Sequence, residues 1–149
     1  MVFLQNLVNA LQWGSFYALI ALGYSMVYGI LMLFNFAHGD IFMVGAYIGF
    51  GVATTIVALT AMGAFALPGW LILVLTILIS MFLTSFVGMF VERVGYRPLR
   101  DAPRASAAIT GLMIGIILET GNLILLGAQR YSFPSLIETT TYSFGGVFV

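Results

Sequence analysis

Apolar and polar positions along this chain segregate into long blocks. Continuous apolar runs occupy residues 7–33, 41–67, 70–91 and 105–126, and short polar stretches separate them. A hydrocarbon core about 30 Å thick demands about 20 apolar residues of a crossing helix, and each run meets that length. A membrane barrel would instead alternate over segments of about 10 residues. The pattern predicts an all-α integral membrane protein of about four transmembrane helices, with a polar break at residues 35–40.

Small residues recur at helical spacing within these runs. Gly14, Ala18, Ala21, Ser25 and Gly29 share one face of the first span. Gly45, Gly49 and Ala53 repeat every fourth residue in the second. Gly111, Gly115, Glu119 and Asn122 form a small, polar face on the fourth. Faces of this kind let membrane helices approach closely, which is how they associate in lipid. Gly14, Ala18, Ser25, Gly45, Gly49, Gly111 and Gly115 are therefore the expected packing positions. The third span has no glycine before Gly88 and is expected to face lipid along much of its length, with Trp70 as an interfacial anchor. The second run, 27 residues, would be about 40 Å long as a helix, so tilt or a glycine-assisted break is expected.

The junctions carry the remaining information. Pro68-Gly69 signals a tight turn between the second and third spans. Residues 92–104, ERVGYRPLRDAPR, hold four of the five arginines together with two prolines that prevent a long helix. A short loop so rich in arginine belongs on the cytoplasmic side. Residues 127–149 turn polar and are expected to form a segment outside the membrane. If residues 35–40 are a simple turn they return to the cytoplasmic side; if they are a broken helix, the count of crossings no longer sets the side of the N-terminus.

Composition narrows the function. Of 149 residues, 62% are hydrophobic and 7% charged, against about 25% charged in ordinary soluble domains. Formal net charge is zero, which suggests no nucleic-acid partner. Cysteine is absent, removing disulfides and thiolate chemistry. All five basic residues are arginines, so the lysine of a Walker phosphate loop is missing and any ATP must be bound by another chain. The first apolar run exceeds the 7–15 residues of a signal-peptide core and lacks a basic leader, so it is expected to be retained as a span.

Few residues could carry chemistry. His38, the only histidine, and Asp40 stand two apart and would not share a helical face. Without another histidine or any cysteine a protein-only metal centre is not expected. A proton relay through His38 is chemically feasible. Asn35, His38 and Asp40 also suit the capping of helix ends, with Asp40 an N-cap directly before Ile41. That role is compatible with lining a substrate pathway, because irregular backbone at membrane depth persists only inside protein or beside a cavity. Glu119 costs about 2.5–3.5 kcal/mol at a span centre, which disfavours lipid contact. It is expected to pair with Arg130, to bond a neighbouring helix or to line the pathway. No GxSxG elbow is present to support intramembrane hydrolysis.

Two strings together resemble one family. Residues 9–47, from NALQWGSFYALIALGYSMVYGI into NFAHGDIFMVGAY, and residues 92–104 are similar to the permeases of branched-chain amino acid ABC importers, of the LivH type. The resemblance implies a transport subunit and not an enzyme, in the plasma membrane of a bacterium or archaeon. It implies a second permease subunit, two ATP-binding subunits that hold ATP and magnesium, and an extracytoplasmic substrate-binding protein. No cofactor is implied in this chain. Asn35, His38, Gly39 and Asp40 correspond to a structural and pathway-associated motif, with Glu119 and Asn122 as further pathway positions. Glu92, Arg93, Tyr96, Arg97, Pro98, Leu99 and Arg100 correspond to a cytoplasmic signature near the ATPase. Chains of the family are about twice as long, so this one is expected to be an incomplete half of a larger permease fold. Glu119 and Thr120 stand where the family more often has Gln and a small or amide neighbour. Urea and short-amide permeases share much of the first string and form the alternative; a proton-coupled secondary transporter is a more distant one.

Overall fold

The computed structural model describes residues 2–32, 34–63, 67–136, 143–144 and 147–148. Four long helices dominate: α1 (Val2–Leu31), α2 (His38–Ala61), α3 (Gly69–Val91) and α4 (Arg104–Leu126). Strands β1 (Ser143–Phe144) and β2 (Val147–Phe148) form a two-residue antiparallel pair, a small addition to an otherwise helical chain. The chain divides into two units, residues 35–137 and residues 1–34 with 138–149.

In the second of these units, α1 is one uninterrupted helix carrying the predicted small face. Ser25 donates to the Ala21 carbonyl at 2.9 Å, so its hydroxyl is satisfied within the helix. The helix ends where Met32 takes φ +52°, a left-handed conformation that costs a non-glycine residue about 1–2 kcal/mol. Among the described residues, three helices are long and apolar enough to cross a membrane: His38–Ala61, Gly69–Leu99 and Arg104–Leu126. Helix α1, at 30 residues, carries Gln5, Asn6, Asn9 and Gln12 in its first three turns.

The other unit is built around α2. It begins at His38, three residues earlier than the apolar run suggested, and ends at Ala61, six residues earlier than the run does. Met62 closes it, and Gly63 follows with φ +77°, a conformation that favours glycine. The connection to α3 therefore covers residues 62–68 and is longer than the tight turn expected at Pro68-Gly69. At 24 residues, α2 is about 36 Å long and needs no break to fit a bilayer.

Helix α3 runs antiparallel to α2. A Cβ on Gly45 would lie 3.2 Å from the Thr84 side chain, and one on Gly49 would lie 3.5 Å from Ser80 Oγ. The seam predicted on α2 thus receives Thr76, Ser80 and Thr84, a stripe repeating every fourth residue. Ala53, Ile72 and Thr76 are buried at this contact. The rest of α3 does face outward, with Ile77, Leu78, Met81, Phe82, Phe86 and Phe90 exposed. Buried positions in this unit are mostly small, and no large side chain is fully buried among the described residues. That inverts a soluble core and matches association by close backbone approach.

Past Val91 the helix widens into a π turn (Glu92–Tyr96), then tightens into a 3-10 turn (Arg97–Leu99) with Pro98 in its first turn. Proline lacks the N–H that continues a ladder, so the helix ends here. Helix α4 then runs parallel to α2, with Gly111 beside Phe36, Gly115 beside Asp40 and Asn122 beside Met43. It stops at Gly127, whose φ is +75°.

Candidate functional site

The two strings singled out in the sequence meet in space. Residues 35–37 make a short turn before α2, and its hub is the Asn35 side chain. Asn35 Oδ1 accepts from the Ala37 backbone N–H at 3.1 Å and from the Tyr96 hydroxyl at 2.8 Å. The His38 N–H donates to the Asn35 carbonyl at 3.1 Å. Asparagine suits this place because its amide oxygen can reach a backbone donor two residues on. Ala37 is wholly buried and Tyr96 nearly so.

Beneath the turn lies the small face of α4. A Cβ at Gly111 would collide with the Tyr96 hydroxyl and stand 3.3 Å from the Phe36 nitrogen. A Cβ at Gly115 would collide with the Asp40 carboxylate and stand 3.9 Å from the Ala37 Cα. At Gly95, in the π turn, it would collide with the Ile114 side chain. Three glycines therefore set how closely the turn, the end of α3 and α4 approach. Because Tyr96 sits beside the arginine-rich loop, the turn at 35–40 lies at the same end of this unit as that loop.

The predicted pathway residues divide. Asn35 and Asp40 come together with Tyr96, Gly111 and Gly115; His38 is half-buried and Gly39 exposed in the first turn of α2. Asp40 is not the N-cap. Ala37 holds that position without a side-chain cap, and Asp40 occupies the first helical turn, where a negative charge suits the helix dipole. Asn35 braces the turn ahead of the helix instead, its Oδ1 accepting from the Ala37 N–H and its main-chain carbonyl from the His38 N–H. Asn122 is half-buried and points its amide at Met43 Sδ, 3.9 Å away. Glu119 is exposed, and no ion pair joins it to Arg130 among the described residues. Arg130 lies beyond Gly127, where the chain has left the helical path that would keep the two in register.

The cytoplasmic signature also divides. Arg93, Arg97, Pro98 and Arg100 are exposed and Leu99 is half-buried, whereas Tyr96 turns inward and does not join an outward surface. Glu92 pairs with Arg100 at 2.9 Å, both partners well exposed, an arrangement worth less than about 1 kcal/mol. Among the described residues no cluster of three or more His, Cys, Asp or Glu gathers to hold a metal.

Sequence reasoning missed two features. One is the Thr76, Ser80, Thr84 stripe, whose four-residue spacing was legible. The other is the contact that the stretch Gly127–Leu136 makes along α2. Tyr131 places its ring 6.1 Å from that of Tyr47 and 5.1 Å from that of Phe50, and the Leu136 carbonyl reaches Gly69. Tyr131 and Phe133 were the only signal, two aromatic residues in a polar context.

Known proteins can now be set beside this geometry. The chain matches the family described as "Branched-chain amino acid transport system / permease component" over residues 6–149. It is 41% identical over 135 residues to the high-affinity branched-chain amino acid transport system permease protein BraD of Pseudomonas aeruginosa. It is 39% identical over 136 residues to the corresponding protein LivH of Escherichia coli K12. Either match covers 91% of this chain but 42% of the relative, so the chain spans less than half their length. No solved structure matches it significantly. Three helices able to cross a bilayer, together with this kinship, make it a multi-pass membrane protein. The chain belongs to the branched-chain amino acid transport system permease family.

Proposed function

We propose that the protein forms part of the translocation pathway of a binding-protein-dependent importer for branched-chain amino acids in the plasma membrane. ATP hydrolysis on separate subunits drives it. The observation that carries this reading is the identity to BraD and LivH across 91% of the chain, together with a family match over residues 6–149 that includes both signature strings. Both relatives are named for branched-chain amino acids, which favours that substrate over urea or a short amide. In this reading a second permease subunit completes the path and an extracytoplasmic protein delivers the substrate. The exposed Arg93, Arg97 and Arg100 face two ATP-binding subunits at the cytoplasmic surface. Tyr96 would then link that surface to the 35–40 turn through its bond to Asn35.

Reconstitution of the full-length permease with its partners in liposomes tests the reading. Leucine uptake that requires ATP is the expected result; uptake persisting without ATP, or uptake of urea in its place, overturns it. Sidedness is tested separately with a single cysteine at Ala102 in this cysteine-free background. An impermeant thiol reagent should label it from the cytoplasmic side only.

A further inference from the structure

A second polar feature lies apart from the 35–40 junction. Helix α4 ends near the midpoint of α2, and the chain continues without helix beside the second half of that span. Between this stretch and α2 is a groove of about 520 Å³, lined by Tyr47, Phe50, Gln129, Arg130, Tyr131 and Phe133. Its volume falls within the roughly 300–1,000 Å³ usual for small-molecule sites. Tyr47 and Phe50 stand 9 and 12 residues past His38, about 14–18 Å along the helix by its rise.

Three observations point to a ligand. The first is a segment without helix, residues 129–133, laid against the second half of α2 so that an aromatic-lined groove opens between them. The second is Arg130, which makes no ion pair or side-chain hydrogen bond among the described residues although it lines an aromatic groove. Arg130 is exposed, so its guanidinium is reachable by an incoming anion. The third is a preformed wall: the Tyr131 hydroxyl donates to the Leu126 carbonyl at 2.7 Å, satisfying an end group of α4 and holding its ring against Phe50 and Tyr47. A wall ordered before binding costs the ligand less to engage.

We propose that this groove is a binding station for an amino acid with an apolar side chain. Arg130 takes the carboxylate, a guanidinium being matched to two carboxylate oxygens. Phe50 and Phe133 take the apolar side chain, and the ring faces of Tyr47 and Tyr131 are open to the ammonium. The station rests on the transport reading for its choice of amino acid, and on the groove's own chemistry for the carboxylate and the apolar body.

Binding of tritiated leucine to the purified full transporter complex, without the substrate-binding protein, tests it. Leucinamide, which lacks the carboxylate, should compete poorly. Arg130→Gln should weaken leucine about 10- to 100-fold, the loss expected for one charge-assisted contact, and leave leucinamide unchanged. Arg130→Lys should recover part of the affinity, and Tyr47→Leu should weaken both ligands. Wild-type leucine affinity in Arg130→Gln overturns the station. ATP-driven uptake is measured on the same preparation. Uptake without Arg130-dependent binding refutes the station and leaves the transport reading standing. Arg130-dependent binding without ATP-driven uptake refutes the transport reading and leaves the station.

Discussion

The bond between Tyr96 and Asn35 joins the two signature strings, and its energetic weight can be worked from its geometry. Tyr96→Phe deletes a 2.8 Å hydrogen bond but leaves no orphan, because Asn35 Oδ1 keeps the Ala37 N–H at 3.1 Å. The cost should be about 1 kcal/mol, the net value of an ordinary hydrogen bond. Asn35→Ala is different. It removes both bonds and strands two donors, the Tyr96 hydroxyl and the N–H of the wholly buried Ala37. Leaving two buried donors without acceptors should cost about 2–4 kcal/mol. In the double variant the tyrosine hydroxyl is already gone, so one of the two stranded donors disappears. The double cost should therefore be about 1–2 kcal/mol and fall short of the sum of the singles by about 2–3 kcal/mol. Detergent-titrated unfolding of the full-length permease in mixed micelles measures all four corners of the cycle. Additivity within about 0.3 kcal/mol would refute the bond as a link between the strings. So would a Tyr96→Phe penalty equal to that of Asn35→Ala.

Further outcomes follow from the same contacts. Gly115→Ala places a methyl on the Asp40 carboxylate and should destabilise by about 1–3 kcal/mol, whereas Gly121→Ala, with open space around it, should be neutral or gain up to about 1 kcal/mol of helix propensity. Equal effects in the same unfolding assay would show that α4 does not lean on the turn through Gly115. Thr76 Oγ1 and Ser80 Oγ are buried without a hydrogen-bond partner, so Ser80→Ala should leave stability unchanged or raise it. A loss above about 1 kcal/mol would mean that the hydroxyl bonds across the α2–α3 seam.

Much of this was readable beforehand because helix packing in lipid leaves its mark on composition. The Gly45, Gly49, Ala53 seam and the Gly111, Gly115 face are where α2 and α4 make their closest contacts. The boundaries were less legible. Met62 and Gly63 continue the apolar run past the end of α2 without being helical, since hydropathy does not distinguish a helical turn from an apolar connection. The role of Asn35 was hidden for another reason: Asp40 looked like the cap from local sequence, and only the helix start at His38 left the asparagine to brace the turn ahead of it.

By itself the sequence determined the class of protein, the number of long helices, the small faces by which α2 and α4 pack, and the family. Each of these follows from local periodicity or from a string of adjacent residues. What only the tertiary structure decided is which faces meet, and therefore what each polar residue does. Asn35 and Tyr96 are 61 residues apart and Asn122 and Met43 are 79 apart. No local pattern encodes such pairs. They arise because α2 runs antiparallel to α3 and parallel to α4, which carries the π turn and the 35–40 turn to the same end. The same arrangement carries Arg130 and Tyr131 onward beside the second half of α2, where they wall a groove.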